Sequence, residues 1–524
     1  MRARLAERPR GELVAYAVLV VLALVVRLID LGARPYHHDE SQDAYFSWLF
    51  FTQGEYSYDP LLHGPLRFYL TSAAYTLLGD TDFTARLAPA LMGTAAVGLV
   101  YLLRDQIGRV AALVAAALLA FGPSYLYFSR FAREDIYFAC ITLALLTVLF
   151  RFLDAPRRHH PAVIGALLAA SFATKETTFI SVFVAGTYFG PLALAQAIRA
   201  PDWREAPLVR TVRSLGWEAW GWGAASFAIV FTLLFTVFLT DPGGLWAGIH
   251  DGLAYWLGQQ PVGRGGEPPG FYVFLLFGVE WPVLFLGAVG VHAVWRAPTV
   301  QRWFLVWMFA VSLLVYSWAS EKFAWLVLHP LLPLVLLAGI GAQALWATRD
   351  RPAGRIGLGV AIAGALYLGW TTYQANAVHP ADPRELLVST QSSADVLAVK
   401  DRVLDLDRRS GGRLTVTVDG DEGATFPWAW YFRDVGAGYV DSMAAPGYRP
   451  DSQVLIMTEA SRQALLGQLG GYEGRRFRLR VWWVKDYSQA FDPGNWWRWT
   501  ARREPWNPTG GLPEYIYVRR DVAG

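Results

Sequence analysis

Eleven long apolar stretches in the first 375 residues constrain the fold more than any other feature of this sequence. They lie at about residues 13–31, 86–104, 109–128, 134–153, 161–174, 176–198, 216–240, 271–295, 303–318, 323–347 and 356–375. A helix of about 20 apolar residues crosses the hydrocarbon core of a bilayer. With 54% hydrophobic and only 17% charged residues, a soluble fold would leave much of this surface facing water. We therefore predict a mainly α-helical, polytopic membrane protein with about 11 transmembrane helices.

The basic residues between these stretches predict an orientation in the cell membrane. If the shorter stretch 63–79, which contains Arg67, does not span, one side receives eighteen Lys and Arg residues and the other eight. The positive-inside rule then places the N-terminus in the cytoplasm and the first loop, residues 32–85, outside. Arg2, Arg4, Arg8 and Arg10 precede the first stretch, which lacks a small-residue cleavage site and is interpreted as a signal anchor. The sequence leaves open whether residues 63–79 span or lie along the interface.

The spanning pattern stops at about residue 380, where Pro380 and Pro383 mark a linker. Beyond it, the apolar pattern predicts helices over about 393–410 and 459–469, and strands over about 413–418, 453–457, 477–484 and 515–518. We therefore predict a transmembrane domain over residues 1–379 and a soluble, extracytoplasmic α/β domain over residues 380–524.

Charge and cysteine content exclude two properties. The formal net charge is only +3, and the basic residues lie in short loops or are dispersed through the tail, so nucleic acid is not an expected partner. The one cysteine, Cys140, lies inside an apolar stretch and allows no intrachain disulfide.

The first loop carries the densest polar cluster of the membrane half, at residues 34–43. Its acidic pair, Asp39 and Glu40, follows the first span and precedes an aromatic run at 45–51, which places carboxylates at the depth of a lipid headgroup. A structural interpretation stays open, because Asp39 with Gln42 three residues later matches a helix N-cap with its capping-box partner.

The same loop contains four conceivable ligands of a divalent metal ion, which are His37, His38, Asp39 and His63. Adjacent histidines rarely point to one centre. The sequence therefore leaves a metal open without supporting one.

Three further loops on the same predicted side carry charges at helix mouths. They are Arg130, Arg133, Glu134 and Asp135 in the second loop, the pair Lys175-Glu176, and the pair Glu321-Lys322. In the last two loops, the adjacent glutamate is the expected partner of each lysine. Charged groups at the membrane edge are costly unless paired, so they are candidates for function. Snorkelling arginines and an acid at a helix start are the structural alternative.

The order of these motifs resembles that of a known superfamily. The set comprises Asp39-Glu40, His63-Gly64-Pro65-Leu66, Ser129-Arg130 followed by Asp135, Lys175-Glu176, and Lys322 ahead of Pro330 and Pro333. It resembles the GT-C glycosyltransferases, in particular the protein O-mannosyltransferase and aminoarabinose-transferase types. The tract Trp430-Tyr431-Phe432-Arg433-Asp434 is also similar to one in the flippase-activity-associated proteins of N-glycosylation pathways. The resemblance covers residues 13–375 well and the tail weakly.

This resemblance implies a GT-C-like fold and a polyprenyl-phosphate-linked sugar as donor. The sugar would pass with inversion to a protein, glycan or lipid acceptor at the outer face, beside membrane lipid. Phosphate is a good leaving group, so a base and phosphate-binding cations suffice and no cofactor is required. The implied roles are Asp39 as base, Glu40 as its orienting or acceptor-binding neighbour, Lys175, Lys322 and either Arg130 or Arg133 as phosphate ligands, and His63 and Asp135 as further substrate-binding residues.

Departures from the pattern limit these expectations. The sequence lacks the Trp-Trp-Asp-Tyr-Gly tract of oligosaccharyltransferases, which disfavours a diphosphate-linked donor. Arg133-Glu134-Asp135 is not the spaced acidic doublet that would support a metal. A lipid-linked sugar flippase, or an accessory to one, would use the same charges without a base, and a non-catalytic assembly protein would bind through its tail.

The tail also contains several tryptophans between residues 482 and 506. Their flat faces suit stacking on sugars, and they equally suit an interfacial belt at the outer leaflet or a packed core.

Overall fold

The computed structural model describes residues 10–259 and 262–523, so Arg2, Arg4 and Arg8 of the predicted signal anchor lie outside the described residues. The membrane half is helical throughout. Its helices are α1 Arg10–Leu28, α2 His38–Gln53, α3 Leu66–Leu78, α4 Leu87–Leu99, α5 Arg104–Ile107, α6 Arg109–Phe121, α7 Pro123–Ser129, α8 Glu134–Asp154, α9 His160–Phe172, α10 Thr178–Arg199, α11 Pro207–Arg213, α12 Gly216–Phe235, α13 Gly243–Trp246, α14 Gly252–Gln259, α15 Phe271–Arg296, α16 Val300–Trp318, α17 Leu328–Ala347 and α18 Pro352–Tyr373.

Helices account for all eleven predicted stretches. In the described part of the chain, nine helical segments are long and apolar enough to cross a membrane, and α6 with α7 forms a tenth that bends by 54°. Pro123 begins α7 directly after the break at Gly122, where the chain is extended. The remaining stretch is α9, which has only 13 residues. It still runs back toward the start of α8, because Lys175 just beyond α9 contacts Asp135 at 2.8 Å.

The stretch at 63–79 contains the short helix α3, Leu66–Leu78. Thirteen residues extend about 20 Å in a helix, whereas the hydrocarbon core is about 30 Å thick. Arg67 of this helix is buried and points to the acidic groups described below. The helix is therefore shorter than the hydrocarbon core, and its charged face is used inside the protein.

Helix α17 forms the centre of the bundle and its most apolar window is entirely buried. Its Gly341 lets α15 approach closely, because a Cβ there would lie 1.9 Å from the Leu286 carbonyl oxygen. Helix α15 kinks at Glu280, where φ is −122°, just before Pro282. Proline cannot donate to the carbonyl four residues earlier, and the Tyr367 hydroxyl of α18 donates to that Gly278 oxygen instead.

The tail is a mixed α/β domain, as predicted. Its helices are α19 Asp395–Ser410, α20 Thr425–Tyr431, α21 Glu459–Leu465 and α22 Pro493–Arg502, and its strands are β1 Gln391–Ser392, β2 Val416–Asp419, β3 Ala437–Val440, β4 Val454–Thr458, β5 Tyr472–Trp482 and β6 Gly510–Arg519. The strands form one sheet in the order β1-β5-β6-β4-β2-β3. β2 is parallel to β3 and β4, and the other neighbours are antiparallel. The α19 helix buries its apolar stripe against the sheet.

The Trp430–Asp434 tract fixes this domain to the first loop. Trp430 Nε1 donates to Asp82 at 2.7 Å, the Tyr36 backbone N–H donates to the Tyr431 hydroxyl at 2.9 Å, and Arg433 pairs with Asp80 at 3.2 Å. Trp430 is fully buried. The tract is therefore an internal interface, and it holds the tail over the end of the bundle that carries the first loop.

Packing accounts for most of the tail tryptophans. Trp483 and Trp499 are buried, and Trp496 packs on Phe274 of α15 at a ring distance of 5.4 Å. Trp497, in contrast, leaves 72% of its surface exposed. Among these residues, only that side chain retains a large face for a membrane or a ligand.

Candidate active site

The acidic pair lies at the start of α2, although the predicted cap is wrong. The N-cap residue is His37, whose Nδ1 accepts a hydrogen bond from the Asp39 backbone N–H at 3.0 Å. The Glu40 carboxylate completes the capping box by accepting from the His37 backbone N–H at 3.1 Å. The helix begins before Asp39, so Asp39 lies in its first turn and its carboxylate is not a cap. Gln42 contacts His38 instead, at 3.3 Å.

Glu40 is completely buried, and its carboxylate is occupied by the protein itself. It accepts from Arg86 at 2.9 and 3.1 Å, from Arg34 at 3.2 Å, and from the Ala132 backbone N–H at 2.9 Å. Burial raises the pKa of this group, but Arg86 and Arg34 outweigh it and lower the pKa to about 2. Glu40 thus ties the first loop to the second, and this geometry leaves it no face for an acceptor.

Asp39 differs from Glu40 because a quarter of its side chain is exposed. Its Oδ2 pairs with Arg133 at 2.5 Å. Burial raises the pKa of Asp39, but the Arg133 guanidinium more than offsets it and lowers the pKa to about 2. Asp39 is therefore an ionised, reachable carboxylate held against a cation.

Below Asp39, a buried ionic cluster joins α8 to the loop after α9. Lys175 Nζ lies 2.9 Å from Glu134 and 2.8 Å from Asp135, and Asp135 also contacts His329 at 3.0 Å. Burial lowers the pKa of Lys175, and the two carboxylates reverse this and raise it. The sequence suggested Glu176 as the partner of Lys175, but Glu134 and Asp135 occupy that position. Lys175 is thus fully compensated within the protein.

His63 connects this cluster to the third loop. Its ring lies 2.8 Å from Glu176 and 3.3 Å from Glu134, and it stacks on Trp256 at 4.5 Å. His63 has φ 60° and ψ −163°, a conformation normally reserved for glycine that costs about 1–3 kcal/mol. Gly64 follows, and a Cβ there would lie 2.2 Å from Ala173. The strained turn therefore brings the histidine into a tight junction with the Lys175 loop.

Asp43 and Arg67 add a pair that the sequence motifs did not indicate. Arg67 lies 2.8 Å from Asp43 and 2.6 Å from Glu134. Burial raises the pKa of Asp43 well above its usual range, although Arg67 opposes this. One Asp43 oxygen has no hydrogen-bond partner among the described residues.

Lys322 lies at a different edge of the site from Lys175. Its backbone N–H donates to the Arg264 carbonyl oxygen at 3.0 Å, and the next residue, Phe323, stacks on Trp325 at 4.5 Å. Arg133 lies over the same Trp325 ring at 4.8 Å, which links Lys322 to the Asp39 pair. No carboxylate among the described residues lies within 4.0 Å of Lys322, and burial lowers its pKa.

Arg264 is a second cation at this edge, and it was not among the residues predicted from the sequence. Its guanidinium is held by the Tyr255 hydroxyl at 3.2 Å and the Gln259 side chain at 2.9 Å, both neutral groups. Gly265 follows in the left-handed region, at φ +88°, and a Cβ there would meet the Lys322 carbonyl oxygen at 2.1 Å. The sequence feature that could have identified Arg264 is its position as a charged residue within a glycine-rich turn.

The conceivable metal ligands do not converge. The His37 ring faces Phe131 and Trp325, whereas His38 Nδ1 lies 2.8 Å from Arg480 of the tail. Within residues 10–259 and 262–523, no three His, Cys, Asp or Glu side chains are arranged around one ion. The His38 contact instead shows that strand β5 reaches the residue next to Asp39.

Arg130 is separated from the other predicted site residues. It lines a cavity between the membrane half and the tail, whereas Asp39, Arg133, Asp135, Lys175 and Lys322 do not. The wall between them contains Phe131, which lies 5.4 Å from His37 on one side and 6.4 Å from Tyr127 on the other.

Comparison with known proteins supports the fold at low sequence identity. Residues 62–200 match the family described as dolichyl-phosphate-mannose-protein mannosyltransferase. No curated protein sequence matches the chain. The crystal structure of ArnT from Cupriavidus metallidurans bound to undecaprenyl phosphate is 16% identical, with a TM-score of 0.63 over 99% of this chain and 100% of that one.

A second similar structure is the archaeal oligosaccharyltransferase AglB from Archaeoglobus fulgidus, in complex with an inhibitory peptide and a dolichol-phosphate. It is 13% identical, with a TM-score of 0.51 over 81% of this chain and 63% of that one. The ArnT match extends through the tail, since it covers nearly the whole chain. The chain therefore has the fold of the GT-C glycosyltransferases, which confirms the resemblance indicated by its motifs.

Proposed function

We propose that this protein transfers a sugar from a polyprenyl-phosphate-linked donor to an acceptor hydroxyl, with Asp39 as the base. One observation carries the assignment: Asp39 is a quarter exposed, whereas the side chains of Glu40, Glu134 and Asp135 are at most 1% exposed. Only an exposed carboxylate can reach an acceptor. The fold match to ArnT bound to undecaprenyl phosphate supports the donor class.

The transfer is an inverting displacement. Asp39 takes the proton of the acceptor hydroxyl as that oxygen bonds to the anomeric carbon. The bond between this carbon and the phosphate oxygen breaks, and polyprenyl phosphate leaves with the bonding electrons. Cations at the phosphate stabilise the charge that develops there.

The ion pair between Asp39 and Arg133 determines when Asp39 is basic enough to take a proton from the acceptor. A carboxylate with a pKa of about 2 is a weak base, because a general base works best with a pKa near the working pH. The donor phosphate is itself an anion that prefers a guanidinium. In our proposal it competes for Arg133, loosens the pair with Asp39, and so raises the basicity of Asp39 only when the donor is bound.

The phosphate ligands are reassigned accordingly. Lys175 is already neutralised by Glu134 and Asp135, so we assign it to holding the cluster together. Lys322 and Arg264 have no carboxylate partner in the described part of the chain, and their backbones touch. We propose these two cations, with Arg133 and the nearby His63, as the phosphate site.

We also propose that this end of the protein faces outward. The basic loops segregate eighteen to eight, which favours a cytoplasmic N-terminus. The tail contacts the first loop directly through Trp430 and Asp82, so both lie on the same side of the membrane.

The test is the Asp39→Asn variant of the full chain, reconstituted with polyprenyl-phosphate hexoses and a membrane extract as acceptor. We expect release of polyprenyl phosphate to fall by about 10²–10⁴-fold, while donor binding persists. Asp401→Asn, which changes an aspartate 72% exposed on the tail, is the matched control. Transfer by Asp39→Asn at the control rate would refute the base assignment and favour a flippase or its accessory, which needs no base.

A further inference from the structure

A cavity of about 1260 Å³ lies between the membrane half and the tail. One wall comes from the end of α1, another from the end of α18 and the following linker, and the roof from β5 and residues 505–509 of the tail. This volume is large enough for a ligand of several hundred Å³. The proposed transfer does not use it.

The cavity is separate from the Asp39 site. Arg34 lies on the partition, where it stacks over Tyr127 at 4.9 Å and over Phe131 at 5.0 Å. Its guanidinium bonds to Glu40 on one side and to the Arg130 carbonyl oxygen on the other, at 3.2 and 3.0 Å. The two compartments therefore share a wall but have different polar groups.

Positive charge predominates in the cavity. Four arginines and two aspartates line it, namely Arg34, Arg130, Arg384, Arg478, Asp30 and Asp382. Arg384 is paired with Asp382 at 2.6 Å, and Arg34 is paired with Glu40. Arg478 is exposed and lies 3.8 Å from Asp395. Arg130 therefore supplies the excess charge.

Arg130 is the least compensated of these groups. Its guanidinium donates to two neutral carbonyl oxygens, those of Ile29 at 2.6 Å and Asn376 at 3.2 Å. No described carboxylate lies within 4.0 Å of it, and its Nε is buried without a partner. Burial and the nearby Arg34 and Arg86 lower its pKa to about 10. A partly buried cation among like charges favours binding of an anion.

The cavity is also amphipathic. Ile29 and Tyr373, at the ends of the spanning helices α1 and α18, are 56% and 57% exposed, and both line it on the membrane side. Arg478 and Asn507 line it on the tail side. Because the Arg130 guanidinium lies beside Ile29, a ligand here would meet a cation next to apolar side chains.

We propose that this cavity is a second substrate-level site, which binds the anionic headgroup of an amphiphile with its chain toward the bilayer. The ligand chemistry is a phosphate or carboxylate next to an acyl or prenyl chain. Two sources share this chemistry, the sugar acceptor and an ordinary anionic lipid of the outer leaflet. The first of these rests on the proposed transfer.

Binding is measured by native mass spectrometry of the full chain in a neutral maltoside detergent. The probes are lysophosphatidylglycerol and lysophosphatidylcholine with the same acyl chain. We expect the anionic lipid to bind more tightly to the native protein, and Arg130→Gln and Arg478→Gln each to weaken it about 10-fold, or about 1.4 kcal/mol. Equal affinities for the two lipids, or full affinity in both variants, would overturn the proposal.

Two controls keep the result interpretable. Arg478 is 63% exposed, so its loss does not endanger folding even if Arg130→Gln does. Arg475 lies on the same strand, is exposed, and does not line the cavity; Arg475→Gln should bind lysophosphatidylglycerol like the native protein. Both cavity variants should retain polyprenyl phosphate, and loss of that ligand instead would mean that the cavity is the donor site.

Transfer kinetics distinguish whether the bound headgroup belongs to the sugar acceptor or to a bilayer lipid. If the acceptor occupies the cavity, lysophosphatidylglycerol inhibits transfer in competition with acceptor and not with donor, and Arg478→Gln raises the KM for acceptor. If the occupant is a bilayer lipid, the probe binds without inhibiting. Binding in the Asp39→Asn variant separates the two proposals, because it requires no transfer activity.

Discussion

Replacing Glu40 with glutamine should destabilise the protein far more than replacing its neighbour Asp39 with asparagine. Glu40 is fully buried and faces two buried guanidiniums, Arg86 at 2.9 Å and Arg34 at 3.2 Å. The amide preserves the shape but removes the charge, and its NH₂ group turns a donor toward donors. Asp39, in contrast, is partly exposed and pairs with Arg133 alone among the arginines.

The magnitude follows from the charges left behind. Breaking a buried ion pair by removing one partner costs about 3–5 kcal/mol, and Glu40 serves two arginines and two backbone N–H groups. A typical domain is stable by about 5–15 kcal/mol, so this loss is a large fraction of the total. A partly exposed pair such as Asp39–Arg133 is worth about 1 kcal/mol or less.

The assay is the temperature at which half of the detergent-solubilised protein is lost from the monodisperse peak in size-exclusion chromatography. We expect a large decrease for Glu40→Gln and a small one for Asp39→Asn, with transfer abolished in the second although it stays folded. A Glu40→Gln protein as heat-resistant as the native one would refute the structural role of this buried carboxylate. Comparable destabilisation by both variants would show that the first turn of α2 acts as one unit.

Two further perturbations separate functional from structural groups. Lys322→Met should weaken polyprenyl phosphate binding without loss of protein, whereas Lys175→Met should lower heat resistance because it leaves Glu134 and Asp135 without their cation; equal behaviour of the two in both assays would contradict this division. In the tail, burial raises the pKa of Glu514 to about 8 despite its bond to Trp428, so its contribution to stability is complete below about pH 4.5 and is lost as the pH rises through about 8. Glu514→Gln should therefore flatten the fall in the melting temperature of the protein between about pH 5 and about pH 8, and an unchanged pH profile would show that Glu514 is not the titrating group.

The sequence predicted the helices well because apolar length is a local property. Each of the eleven stretches contains a helix, and the predicted strand at 453–457 is Val454–Thr458 in the structure. The α20 helix, Thr425–Tyr431, was missed because its proline and aromatic residues do not show a helical apolar pattern. It is stabilised by contact with the first loop, far away in the chain.

The sequence indicated several charged residues that the fold brings together, but not how they pair. Asp39, Arg133, Asp135 and Lys175 do come together, because each lies at a helix mouth on one side of the bundle. Which charge faces which depends on distances that the sequence does not contain: the adjacent Glu176 was the expected partner of Lys175, but it pairs with His63.

The tail cannot be treated as an independent acceptor-binding module. Removing residues beyond about 380 would strip Trp430 from Asp82 and Tyr431 from the backbone of Tyr36. The Tyr36 ring lies under Arg86 at 4.1 Å, and Arg86 holds Glu40 next to Asp39. Truncation would therefore disturb Asp39 and Glu40 through this series of direct contacts. Loss of transfer after truncation would be expected whether or not the tail touches an acceptor, so only point changes that spare this interface, such as those at Arg478, can reveal what the tail binds.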